Sequence, residues 1–137
     1  MKRFYFSILS SLLLICLAGC SSNAPESIAK EFVLAYFSCD FEKAKTLSTP
    51  DTSKGLELLS KMAQSEDFKE NKEKMPKITS IKADGCQFSE DGSEATVSLT
   101  VTADVPNKEG KIESQTDQIK VDMKKIDEKW LVVFKVK

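Results

Sequence analysis

The residues best able to do chemistry in this 137-residue chain are its four cysteines, Cys16, Cys20, Cys39 and Cys86. A thiol can be acylated, oxidised to a disulfide or bound to a metal ion. The chain has no histidine. That removes the side chain that titrates near neutral pH and the commonest metal ligand. Isolated thiols without histidine lack zinc spacing, so neither a metal nor a cofactor is expected. Acid–base chemistry would fall to Tyr36 and to Asp84, Asp117 and Asp122. An apolar cavity can raise an aspartate's pKa until it works as a general base. The plainer reading makes Tyr36 a core aromatic with its hydroxyl at the surface. It makes the three aspartates solvated strand charges, so no residue is assigned a catalytic role.

Cys16 and Cys20 belong to the N-terminal segment. Lys2 and Arg3 open it, an apolar run from Phe4 to Gly19 follows, and Leu17-Ala18-Gly19-Cys20 leads into polar Ser21, Ser22 and Asn23. A charged start, a short apolar stretch and small residues before a cut describe an export signal. The run falls short of the roughly 20 apolar residues of a comfortable membrane span. The tetrad Leu17-Ala18-Gly19-Cys20 resembles the lipobox of bacterial lipoproteins. That resemblance implies diacylglyceryl transfer to the Cys20 thiol, cleavage before Cys20 and membrane anchoring through acyl chains such as palmitate. One acyl chain binds a membrane marginally and two or more bind stably. The expected organisation is a signal over 1–19, a lipidated tether over 20–27 and one domain over 28–137. Ser21 and Ser22, with no aspartate directly after Cys20, imply the outer membrane in a diderm bacterium. In a monoderm the domain would face outward from the plasma membrane.

Losing Lys2 and Arg3 with the signal would leave 18 basic residues against 21 acidic. Such a balance lacks the basic stripe that nucleic acid requires. Cys39 and Cys86 remain as an even pair in an oxidising compartment and are expected to form a disulfide. Closing that long loop would stabilise the fold by about 4 kcal/mol. The alternative is two buried free thiols, since cysteine packs well as a small hydrophobe.

The elements that must position these residues follow from periodicity. Asn23 and Glu26 have capping-box spacing, and Ile28, Phe32, Ala35, Tyr36 and Cys39 share one apolar helix face widened by Val33 and Phe37. Asp40 is placed to cap a second, short helix carrying Phe41, Ala44 and Leu47, which Ser48-Thr49-Pro50-Asp51 ends. Leu56, Leu59, Met62 and Ala63 mark a third helix, and the charged run from Lys69 to Lys77 reads as a mobile connection. From Ile78 the period becomes two. A strand runs to Phe88, with room for a bulge near Gly85, and a turn follows at Asp91-Gly92. A second strand alternates from Ala95 to Val105, and a third carries Ile119, Val121 and Met123, with Asp117 at its start. Trp130, Val132, Phe134 and Val136 form the inner face of a fourth. Helices followed by antiparallel strands predict an α+β fold, with the helices on one face of a curled four-stranded sheet.

This order, with Ala29 to Phe41 followed by Glu42-Lys43-Ala44, Gly92 to Val105 and Lys129-Trp130-Leu131-Val132-Val133, resembles the nuclear-transport-factor-2-like superfamily, the cystatin-like α+β roll. In particular it resembles small lipoproteins of that superfamily known only as domains of unknown function. The resemblance implies a cone-shaped roll with a cavity between helices and sheet. Phe32, Tyr36, Trp130 and Phe134 are the residues expected to line it.

The superfamily holds isomerases and dehydratases as well as binding modules, so fold does not choose function. With no histidine, its His-Asp catalytic pair is excluded. The expectation is a non-enzymatic envelope lipoprotein that binds a small apolar ligand, a peptide or an envelope protein. The alternative is an isomerase- or dehydratase-like enzyme using Tyr36 and one aspartate; a third reading is an accessory or immunity-type lipoprotein that occupies a partner's surface. The stripe Thr96, Ser98, Thr100 and Thr102 on one sheet face could join two copies in a homodimer.

Overall fold

A computed structural model describes residues 24–134 of the chain. Cys16, Cys20, Asn23, Lys135, Val136 and Lys137 lie outside the described residues, as do the signal and most of the tether. Helix α1 spans Pro25–Phe37. It begins on Ala24 with no side-chain cap; the expected cap, Asn23, lies outside the described residues. Pro25 occupies the first helical position, where its missing N–H is one that no helix satisfies. The first described element thus begins at Pro25.

The helix ends in a tight reversal. Cys39 takes a left-handed φ of 62°. The Asp40 N–H donates to the Ala35 carbonyl at 2.8 Å and the Cys39 N–H to that of Tyr36 at 3.2 Å. This is the paired bonding of a Schellman turn, with cysteine where glycine is usual. As expected, Asp40 then caps α2, Phe41–Thr46, by accepting from the Lys43 N–H at 3.3 Å. Pro50 does not simply end α2. It opens α3, Pro50–Met62, for the same reason that Pro25 opens α1. The charged run expected to be a mobile connection is ordered into α4, Glu66–Asn71, and a 3-10 turn, Lys72–Lys74. Ser65 starts α4 by accepting from the Phe68 N–H, a local signal that side-chain polarity alone conceals.

Four strands follow in the order β1-β2-β3-β4, all antiparallel: Lys77–Phe88, Glu94–Pro106, Ile112–Ile126 and Lys129–Val133. The bulge falls at Asp84, between Ala83 and Gly85, and a second irregularity at Thr79. Asp127 and Glu128 both have positive φ in the β3–β4 turn, the twist that suits a two-residue hairpin. Strand β3 begins at Ile112, earlier than Asp117, because its first half pairs with Thr102–Pro106 through the backbone. Those residues are exposed on both faces and so show no alternation.

Strand β4 ends at Val133, so Phe134 is not on it as expected, and Val136 lies outside the described residues. Phe134 leaves the sheet, its N–H donating to Thr52 Oγ at 3.0 Å while that hydroxyl donates back to the Phe134 carbonyl at 3.3 Å. The α2–α3 connection covers the outer edge of β4. Val132 donates to the Leu47 carbonyl at 2.8 Å and accepts from Thr49 at 3.0 Å. The core is the inner sheet face, Val97, Leu99, Val121, Met123 and Val132, closed by Ala29, Phe32 and Val33 of α1 and by Phe41, Ala44 and Leu56.

Leu99 is 0% exposed at the centre of this core. Leu99→Ala should destabilise the domain by about 2 to 5 kcal/mol. That lowers Tm by at least about 10 °C for a domain of this size, as thermal unfolding followed by circular dichroism would show. A second expectation concerns the β1–β2 turn. There the Asp91 carboxylate accepts from Ser89 Oγ at 2.7 Å, Ser93 N–H at 3.0 Å and Ser93 Oγ at 2.8 Å. These bonds, Ser89's first, hold its carboxyl down to about 2. A depressed carboxyl stabilises the fold above its unfolded pKa of about 4 and loses that contribution as pH falls toward 2. Asp91→Ala should flatten this acid limb, seen by comparing unfolding midpoints of the two proteins at neutral and at acid pH.

Candidate functional site

Three of the four residues expected to line a cavity come together. Phe32 and Tyr36 stand one helical turn apart on α1 and stack with ring centroids 6.1 Å apart. The Phe134 ring closes on both, at 6.4 Å from Phe32 and 5.6 Å from Tyr36. With Val33, Phe37, Ile119, Val121 and Val133 they line a cleft of about 550 Å³ between α1 and the edge of β3. Among the described residues β4 pairs only with Asp122–Ile126, and none of them pairs with that edge. Phe134 is still 40% exposed, so the cleft opens to solvent beside it.

Trp130 is not part of this cleft. It tilts against Phe88 at 5.8 Å and carries the Lys125 ammonium 5.9 Å from its ring centre. It borders a smaller hollow of about 240 Å³ with Ile28, Leu47 and Leu131. Four residues of strand separate Trp130 from Phe134, about 13 Å at strand rise. Alternation puts two residues on one face without putting them in one pocket.

The cysteines are also apart. Both are free. Cys39 follows the C-terminal end of α1, its Sγ 3.6 Å from Met75 Sδ. Cys86 lies near the other end, where burial and then the Glu26 carboxylate push its thiol up. Glu26 and Cys39 are separated by the length of α1, about 20 Å at helical rise. A disulfide needs Cα atoms within about 7 Å, so the expected Cys39–Cys86 bond does not form.

No aspartate pairs with Tyr36. Asp84 and Asp122 are turned to the outer face, where they accept from Thr100 and, at 3.1 Å, from Thr96. Asp122 meets the cleft only at its lip. Asp117 lies opposite Val101 on the inner side, in a hollow of about 140 Å³ with Phe37, Pro76 and Ile78, which Tyr36 does not reach. The Thr-rich stripe lies on this outer face, where its three threonine hydroxyls bond within the sheet; Thr102 bonds Thr116 at 3.0 Å.

The largest unforeseen feature is a second cleft, about 530 Å³, between the end of α1 and the 3-10 turn. Its floor is Leu34, Phe37, Met75, Pro76 and Ile78, and Lys69, Lys72, Glu73 and Lys77 rim it. Phe37 lines this cleft, the Asp117 hollow and the Tyr36 cleft. The one clue in sequence is Met75-Pro76, an apolar pair inside a run of charge.

No protein-family model matches the chain, and no curated protein matches it. Its likenesses are to solved structures. The solution structure of a SEC-C motif containing protein from Rhodopseudomonas palustris gives a TM-score of 0.55 at 16% identity, over 82% of this chain and 77% of that one. The intermembrane space region of chloroplast protein ARC6 gives 0.52 at 14% identity, over 80% and 89%. A Campylobacter jejuni structure assigned as an NTF2-like transpeptidase gives 0.47 at 19%, over 81% and 98%. At these identities the likeness is one of fold alone, helices packed on a curled antiparallel sheet.

The chain from Ser21 onward, made and purified without reductant, should therefore have the intact mass of the dithiol. Denatured, it should take two maleimide labels, and a mass short by two hydrogens would show the bond after all. In the folded state Cys86 should label slowly at neutral pH, because its raised pKa leaves little thiolate.

Proposed function

We propose that this protein is a lipid-anchored, non-enzymatic binding module of the bacterial cell envelope, holding an apolar ligand in the clefts that meet at Phe37. The observation that carries the binding role is the uncovered inner face of the roll, where apolar walls meet solvent around one shared aromatic ring. Each of the two larger clefts falls in the size range of small-ligand sites, about 300–1,000 Å³. Their lining is mostly apolar, the usual makeup of such sites. The carboxylates that an acid–base reaction would use are on the outer face or out of reach of Tyr36. That favours binding over turnover. Anchoring rests on Leu17-Ala18-Gly19-Cys20 and its export signal, with a tether of a few residues before Pro25. At that distance the clefts would work close to the membrane surface. The three threonine hydroxyls of the Thr-rich stripe are engaged within their own sheet, and the clefts lie on the opposite face, so binding in them calls for no second copy.

Two measurements test the two halves. Cells fed labelled palmitate should label the protein, and Cys20→Ser should abolish the label and release the protein from membranes. The chain from Ser21 onward should bind an environment-sensitive apolar dye at one site, and Phe37→Ala should weaken that binding at least tenfold while the domain stays folded. Binding unchanged by Phe37→Ala would remove the clefts from the reading.

A further inference from the structure

The cleft at the end of α1 differs from the Tyr36 cleft in the charge at its mouth. Lys69 comes from α4, Lys72 from the 3-10 turn and Lys77 from the start of β1, and all three border the same apolar floor. Glu73 is the one acidic residue among its lining residues. None of the three lysines takes part in an ion pair among the described residues. The neutral side-chain hydroxyl of the lining is already used, since Ser38 Oγ donates to the Leu34 carbonyl at 2.7 Å and contacts that of Ala35 at 3.2 Å. A polar group arriving here would therefore meet ammonium groups first.

The floor fits a chain rather than a compact molecule. Leu34 is 47% exposed although it lies on a packed helix. From the lysine rim, Phe37, Pro76 and Ile78 lead directly into the adjoining hollow over Val101, Ala103 and Ile119. That path runs from cations to a strip of uncovered sheet, with Asp117 and Gln115 bordering the hollow.

Resting on the binding role proposed above, we infer that this cleft takes a single-chain anionic amphiphile of the fatty-carboxylate class, captured as a monomer. The carboxylate sits among Lys69, Lys72 and Lys77, and the alkyl chain runs past Phe37 and Ile78 onto the open sheet. Charge-assisted bonds fix the head. Burial of methylenes holds the tail, each worth about a fourfold gain in affinity.

The test is calorimetric titration of the chain from Ser21 onward, which holds the whole core, with decanoate, dodecanoate and tetradecanoate below micellar concentration, and with dodecanol. Each carboxylate should bind once, tightening about 15-fold per two methylenes. The lysines are exposed, so their replacement leaves the fold intact. The triple variant K69Q/K72Q/K77Q should bind dodecanoate at least tenfold more weakly and dodecanol as before. Replacing Lys54, Lys61 and Lys108 instead should change neither.

Dodecanol binding as tightly as dodecanoate, or dodecanoate binding untouched by the triple variant, overturns the inference and leaves an apolar ligand site standing. Binding of anionic phospholipid vesicles without any monomer binding overturns it in favour of membrane-surface docking. No binding of any of these, together with no dye binding, would bring down the proposed function as well.

Discussion

A thirteen-residue helix lies on a sheet whose first three strands are each about twice its length or more. Helix α1 is about 20 Å long at helical rise, while the thirteen residues of β2 extend about 43 Å. The sheet can bury only what the helix reaches. Along β2 the inward positions Ala95, Val97, Leu99 and Val101 are buried, while Ala103 and Val105 are half open. Along β3 the buried positions are Val121 and Met123, with Ile119 at the margin. Beyond these, Ala103 and Val105 with Gln115 and Asp117 form inner surface that no element among the described residues covers. The clefts are the geometric remainder of this mismatch, which is why Phe37, the last residue of α1, borders three of them.

Other features take their places from that arrangement. The helix must stop where it does so that the chain can turn back, and the left-handed Cys39 with its paired carbonyl bonds makes the turn. The reversal lets α2 and α3 pack beside α1, and the segment between them closes the edge of β4. Thr52 then draws Phe134 off the sheet. The departure leaves β3 without a neighbour before Asp122 and swings the Phe134 ring against Tyr36. A single hydroxyl thus sets both the end of the last strand and one wall of a cleft. At the other end of the helix, α4 and the 3-10 turn carry their lysines to the rim of the open floor.

The chemistry of the clefts follows from what surrounds them. Asp84, Asp91 and Asp122 are bonded to hydroxyls on the outer face or in a turn. The inner side presents mostly aliphatic and aromatic carbon, with three lysines gathered at one mouth and one lysine at each of two others. An apolar hollow with a charged rim sorts amphiphiles by head group, since tails gain from burial whatever the head while a head of the wrong sign loses its hydration unpaired. Reaction chemistry would need polar groups aimed inward, and Asp117, the inward aspartate among those singled out, lies away from Tyr36.

By itself the sequence determined the α+β order, the turn at Asp91-Gly92, the cap at Asp40, the bulge beside Gly85 and most of the core. Each of these is a local or periodic property. Helical spacing marks Ile28 to Tyr36, alternation marks Ala95 to Val105, and a side chain three residues from an N–H marks a cap. The expected export signal and lipidated Cys20 rest on composition over a short window and lie outside the described residues. What tertiary structure decided was everything that depends on distance through space. Cys39 and Cys86 form a plausible pair in sequence, yet they flank opposite ends of one helix. Trp130 and Phe134 share a phase in the sequence but face different hollows. Lys69, Lys72 and Lys77 look like a solvated run until a helix, a 3-10 turn and a strand bring them to one rim. No periodicity encodes how far α1 reaches along the sheet, because that length is set where the chain reverses and by what it packs on. The open floor beyond Phe37 therefore became visible only when helix and strands were laid together.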